Sequence, residues 1–172
     1  MTEQTAEKSL VRPMAPADLE NVLAWRNHPD VRRFMLTQRE ITLDEHLRWF
    51  DRARQDPLKC LLIFETDSQP LGFVNFSRLT GGGIADWGFY AAPQAPKGSG
   101  KRLCSMALNH AFTQLKLHKI CGRVLACNRR SIHLHKFLRF QEEGVLRDQH
   151  FDGERYRHVI CFGLLSHEWQ SI

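Results

Sequence analysis

The chain lacks any apolar run near the roughly 20 residues needed to cross a bilayer, so a spanning helix is not expected. Met1 to Ser9 is polar and without the apolar stretch of a signal peptide, and residues 1–8 are expected to form a short disordered lead. There is no Cys-x-x-Cys pair, and the five cysteines are odd in number. Most sit in apolar stretches, where a thiol acts as a small hydrophobe. Reduced thiols in a cytoplasmic protein are therefore expected rather than a disulfide framework. His133 and His135 are two apart and point to different helix faces, so no metal site is expected. No internal repeat, low-complexity tract or linker divides the chain. No Walker A spacing and no G-x-G-x-x-G fingerprint occur.

What is there is ordinary for one soluble domain: 172 residues, 42% hydrophobic and 25% charged, with a net charge of +5. Lysine and arginine are scattered rather than clustered, and no nucleic-acid module is visible. The positive excess suits an anionic cofactor or substrate as well as it suits nucleic acid.

Periodicity predicts an α/β domain. A strand at Ser9–Met14 precedes helices at Ala17–Asn27 and Thr42–Arg54. Leu43, Leu47 and Phe50 are the expected apolar stripe of the second, and Thr42 with Glu45 has the spacing of a capping box. Strands follow at Lys59–Glu65, Leu71–Leu79 and Ile84–Tyr90. A helix spans Lys101 to about Lys116, a strand Lys119–Ala126, and a helix Asn128–Phe140 with Leu134, Phe137 and Leu138 as its core face. Two strands near Glu143–His150 and Tyr156–Leu165 flank the hairpin turn Asp152-Gly153.

The segment from Pro93 to Leu103 joins an apolar strand to an amphipathic helix and holds Lys97, Gly98, Ser99, Gly100 and Lys101. Glycines let successive backbone N–H groups converge, and a helix start adds partial positive charge. A pyrophosphate is the expected guest, and the competing reading is a glycine-rich turn that only caps the helix.

A G-x-G turn after a strand, then helix, strand and an Asn opening a second helix, resembles the GNAT acetyltransferases. Their [QR]-x-x-G-x-[GA] motif matches at Gly98-Ser99-Gly100; its first position falls on Ala95, with Gln94 one residue early. The resemblance covers almost the whole chain. It implies a GNAT fold, a mixed and mostly antiparallel sheet of about seven strands flanked by about four helices, forming a single domain over residues 9–172. It implies acetyl-CoA as donor, its pantetheine paired with Phe89, Tyr90 and Ala91, and its arm near Asn128 and Ser131. The family usually has Tyr where His135 stands and Gly-Phe where Arg139-Phe140 stand. By its position His135 is the expected acid for the leaving thiolate, and His46 is the expected base.

The first half reads W-R-N-H-P-D-V-R-R-F-M and H-L-R-W-F. These pieces look like the PseH-type branch, which acetylates the 4-amino group of a UDP-linked 4-amino-4,6-dideoxy-N-acetyl sugar in pseudaminic acid synthesis for flagellin glycosylation. Trp25, Arg26, Asn27, Arg32, Arg33, Trp49, Asn75 and Ser77 are then the expected acceptor contacts, with Arg48 adding charge. The expected partner is a small-molecule nucleotide sugar, not nucleic acid or membrane, with room for a homodimer. The alternatives are acetylation of ribosomal-protein N-termini and a non-catalytic CoA-binding module.

Overall fold

The computed structural model describes residues 8–79 and 81–171. The lead expected over residues 1–8 therefore lies, but for Lys8, outside the described residues. Seven strands form one sheet in the order β1-β2-β3-β4-β5-β7-β6. They are β1 Ser9–Pro13, β2 Lys59–Thr66, β3 Gln69–Arg78, β4 Ile84–Ala91, β5 Lys119–Leu125, β6 Gln141–Phe151 and β7 Tyr156–Leu165. Every neighbouring pair is antiparallel except β4 with β5. Five helices flank the sheet: α1 Leu19–Asn27, α2 Pro29–Arg32, α3 Leu43–Ala53, α4 Ser99–Thr113 and α5 Arg129–Phe137.

Side-chain alternation gives the sheet two covered faces. On one, Leu62, Phe64, Val74, Phe76, Ala85 and Trp87 pack against Leu103, Cys104, Ala107, Leu108 and Ala111 of α4 and Leu138 beyond α5. On the other, Ile63, Phe73 and Ala92 pack against Val22 and Trp25 of α1 and Phe50 of α3. The two-layered core is thus split by the sheet, and β4 contributes to both sides.

The capping signals fold as read. Thr42 Oγ1 accepts from the Glu45 N–H at 3.2 Å, and Glu45 Oε2 accepts from the Thr42 N–H at 2.9 Å. Asn128 Oδ1 accepts from the Ser131 N–H at 3.1 Å and opens α5. Near the chain start, Arg12 donates to both oxygens of buried Asp18 and to Glu65, tying the entry of α1 to β1 and β2.

Several expectations are corrected. Helix α2 fills part of a stretch left unassigned by periodicity; Pro29 stands at its first position and His28 Nδ1 accepts from the Asp30 N–H. Ala17 belongs to a short 3-10 turn before α1. Leu43 and Leu47 are 52% and 40% exposed, and the buried face of α3 is His46, Phe50 and Ala53. Both faces have helical spacing, and the packing partners α1 and β2 select between them. Phe137 is likewise exposed, while His135 and Leu138 are buried.

Helix α5 ends sooner than its apolar pattern suggested, through a left-handed residue. Arg139 has φ +68, the Phe140 N–H donates to the His135 carbonyl at 3.0 Å, and the Arg139 N–H donates to the Lys136 carbonyl at 3.0 Å. These are the two bonds of a Schellman cap, whose left-handed position favours glycine. An exposed arginine stands there at a steric cost. Replacing it should stabilise the protein: Arg139→Gly is expected to gain about 0.5–1 kcal/mol, roughly 1–4 °C in Tm for a domain of this size. Thermal unfolding checks this; a lowered Tm would mean that the Arg139 side chain contributes more than its backbone costs.

Candidate active site

Strands β4 and β5 run parallel for only three residue pairs, Ile84↔Lys119, Ala85↔Ile120 and Asp86↔Cys121, and then part. Beyond the fork β4 stays paired with β3 as far as Gly72↔Ala91, and β5 stays paired with β7 as far as Leu125↔Val159. In an antiparallel ladder alternate residues direct both backbone groups to the partner. The Leu79 N–H donates to the Ile84 carbonyl and the Ala92 N–H to the Leu71 carbonyl, so even-numbered residues of β4 bond to β3. Trp87, Phe89 and Ala91 therefore direct their backbone groups toward the gap that β5 leaves. Such an edge can receive an extended chain bearing amides.

The fork is filled by side chains. Trp87 Nε1–H donates to His135 Nε2 at 3.2 Å. His135 Nδ1 lies 2.8 Å from the Ser131 carbonyl. An indole only donates, so Nε2 is the unprotonated nitrogen and Nδ1 carries the hydrogen. The ring is 2% exposed and enclosed by Trp87, Phe89, Phe140 and Phe162, with centroids 4.9–5.8 Å away. Burial lowers its pKa, opposed by the bond to Ser131. A Cβ on Gly122, the first β5 residue past the fork, would lie 2.6 Å from His135 Nε2 and 3.1 Å from Trp87 Nε1. His135 is therefore not placed as a free acid would be, because its one proton is held by Ser131 and its other nitrogen is an acceptor.

At the top of the gap α4 begins. Gly98 has φ +92, and an added Cβ on Gly98 or Gly100 would meet nothing within 4 Å, so backbone is presented openly there. In the first turn of α4 the Ser99 N–H donates to the Pro96 carbonyl at 3.1 Å and the Lys101 N–H to the Gly98 carbonyl at 3.0 Å, which leaves the Gly98 and Gly100 amides as the open backbone donors of the turn. Lys97 is exposed, and Lys101 Nζ lies 3.9 Å over the Phe137 ring, which accounts for that exposed aromatic.

A cavity of about 1070 Å³ joins this region to the opposite face of the sheet. It is lined on the α4–α5 side by Phe89, Ala91, Ser99, Gly100, Asn128, Ser131 and His135, and on the α1–α3 side by Arg26, Arg33, His46, Trp49, Asn75 and Tyr90. Trp49 stacks on His46 (5.1 Å) and meets Phe73 edge-on (5.9 Å), and Phe73 meets Tyr90 (5.3 Å), so four rings form one wall. Gly88 leaves room for Asn75, whose Oδ1 would lie 2.9 Å from a Cβ there. Among the described residues, two polar atoms on this side are buried without a partner: Arg26 Nη1 and His46 Nε2. Arg26 Nη2 donates to the Thr37 carbonyl at 2.6 Å. Burial lowers the Arg26 pKa, and Arg32 and Arg39 lower it further. Burial likewise lowers that of His46, opposed by a backbone bond to Leu19.

Other expected acceptor contacts are engaged with neighbouring residues. Trp25 is 4% exposed within the core. Asn27 exchanges two 2.8 Å bonds with the Ile41 backbone, pinning the loop before α3. Arg32 pairs with Glu40 at 3.0 Å, Arg33 with Asp30 at 3.4 Å and Arg48 with Asp44 at 2.7 Å. Ser77 shares a 3.5 Å contact with Lys59 Nζ and is not part of the cavity wall. Trp87 and Gly122, which build the fork, carried no functional expectation. A glycine inside an apolar strand was the available signal for close approach.

Among the described residues no group of three or more His, Cys, Asp or Glu is placed to hold a metal ion, and no helix is long and apolar enough to cross a membrane.

Residues 9–141 match the acetyltransferase (GNAT) domain family. The acetyltransferase PseH of Campylobacter jejuni is 33% identical over 119 residues, 69% of this chain and 74% of that protein. Spermidine N(1)-acetyltransferase of Escherichia coli is 25% identical over 167 residues, 96% of this chain and 90% of that one. A crystal structure of spermidine N-acetyltransferase from Vibrio cholerae in complex with CoA and spermine superposes with a TM-score of 0.87 at 24% identity, over 93% of this chain and 96% of that one. The fork between β4 and β5, the open glycine turn at the start of α4 and the family match over most of the chain agree: this protein belongs to the GNAT acetyltransferase family and is an acetyl-CoA-dependent N-acetyltransferase.

Proposed function

We propose that the acceptor is the 4-amino group of a UDP-linked 4-amino-4,6-dideoxy-N-acetyl sugar. One observation carries this: Arg26 is a half-buried guanidinium whose buried Nη1 has no partner and no carboxylate at hand. A desolvated cation in that state favours an anionic guest. The carboxylates on the same wall are already engaged. Asp30 faces Arg33, and Arg39 with the Thr42 backbone holds the Glu45 carboxyl down at about 2. The Trp49–His46 stack adds a flat surface suited to a nucleobase or sugar ring. Similarity to the acetyltransferase PseH points the same way. A polyamine acceptor is favoured by the longer match to spermidine N(1)-acetyltransferase, but it would need unengaged carboxylates on this wall.

Acetyl-CoA enters from the other side. Its diphosphate meets the turn from Lys97 to Lys101, and its pantetheine lies along the Trp87–Ala91 edge beside Asn128 and Ser131. A gap-facing N–H of Phe89 or Ala91 polarises the thioester carbonyl. The neutral amine attacks that carbon, the C–S bond breaks, and CoA leaves as thiolate. His46, kept neutral by burial, takes the amine proton at Nε2. Both substrates are held by groups remote from the reacting atoms, which is how binding energy becomes orientation.

Gly100→Asp places a negative side chain in the open turn, and calorimetry on the folded variant should show acetyl-CoA affinity reduced at least about tenfold; unchanged affinity would remove the turn from the cofactor site. Arg26→Met should raise the acceptor KM about tenfold or more while sparing that of acetyl-CoA. In a thiol-release assay the UDP-amino sugar should be preferred over spermidine and over a ribosomal-protein N-terminal peptide. Faster turnover of either of those would overturn the nucleotide-sugar assignment.

A further inference from the structure

We infer that His135 is a positioning residue for the cofactor: by accepting the Trp87 indole N–H across Gly122, it props the β4–β5 fork at the width in which acetyl-CoA lies. This rests on the placement of acetyl-CoA along the Trp87–Ala91 edge.

The bond sits at the parting point. The last β4–β5 pair is Asp86↔Cys121, and Trp87 and Gly122 are the next residue on each strand. Strands that have begun to pair would ordinarily go on pairing, since each added rung satisfies two backbone groups. At that point the Trp87 and His135 rings meet over Gly122, on the face of the sheet, and the missing side chain of this β5 residue lets them approach. His135 is itself fixed twice. Its Nδ1–H is bound to the Ser131 carbonyl one turn back, and its own carbonyl accepts the Phe140 N–H that closes α5. Phe140 in turn stacks on Trp87 at 5.2 Å and meets the His135 ring at 4.9 Å. The end of α5, the imidazole and the indole thus form one closed unit bearing on the strand that Phe89 and Ala91 belong to.

This arrangement is poorly suited to proton donation. Nε2 has no proton, and the one on Nδ1 is shared with the Ser131 carbonyl. As a prop, the ring needs only an acceptor atom at Nε2 and the right bulk.

A double-mutant cycle separates the roles. Trp87→Phe removes the donor and keeps the ring; His135→Phe removes the acceptor; His135→Gln offers an amide oxygen to the indole but no titratable proton. Kinetics are measured for each and for the Trp87→Phe/His135→Phe pair, and thermal unfolding verifies that each variant is folded. Each single phenylalanine variant is expected to raise the acetyl-CoA KM about tenfold with a smaller fall in kcat. The pair should be no worse than either alone, and His135→Gln should stay within about threefold of the parent. If His135→Phe and His135→Gln both collapse kcat while Trp87→Phe spares it, His135 is an acid and the positioning role is overturned. If no folded variant changes the acetyl-CoA KM, while Gly100→Asp still does, the prop is overturned and the cofactor placement stands. If Gly100→Asp is silent as well, the placement itself falls and takes the prop with it.

Discussion

The site depends on a parallel pairing that stops. Had β4 and β5 continued beyond Asp86 and Cys121, the gap would have closed and the Phe89 and Ala91 backbone would be paired with β5. Stopping the ladder leaves polar backbone without strand partners, a cost that a ligand with amides of its own can offset. The rest of the α4–α5 side follows from keeping that gap open. Gly122 gives up its side chain, Trp87 and His135 fill the apex, and α5 is stopped by an arginine in a conformation better suited to glycine so that Phe140 can close the cage.

The opposite face is governed by charge accounting rather than by shape. Many arginines lie in the first half of the chain, yet Arg32, Arg33, Arg39 and Arg48 each have a carboxylate within 3.4 Å. Exposed pairs of this kind contribute little to stability and mostly cancel each other's field. Arg26 differs because it is half-buried, flanked by like charge and bonded only to a carbonyl. One uncompensated guanidinium beside a wall of rings says more about the acceptor than the net charge of +5 does.

Much of the fold was legible. Period-two runs located the strands, with β7 read to the residue, and short-range chemistry such as the Thr42–Glu45 box and the Asn128 cap marked helix starts. The glycine turn before α4 was legible as an open backbone because its geometry is local. What failed was whatever depends on a partner distant in sequence. Leu43 and Leu47 have the spacing of a core stripe, but α3 turns His46 inward instead, and hydropathy cannot foresee a buried histidine. Trp25 and Arg26 are adjacent and looked equivalent; one joins the core and the other the cavity. His135 was read from its place after Asn128 alone, and only the fold brings Trp87 to it from 48 residues away.

Acetyl-CoA bound as proposed completes the strand edge of β4. Residue-resolved amide exchange by NMR, with and without acetyl-CoA, tests it most directly. The Gly88 and Tyr90 amides are already bonded to β3 and should change little, whereas those of Phe89 and Ala91 face the gap and should slow markedly on binding. That odd–even contrast within four consecutive residues is the signature of strand-like pairing. Saturating acetyl-CoA that left Phe89 and Ala91 exchanging as before would contradict the account.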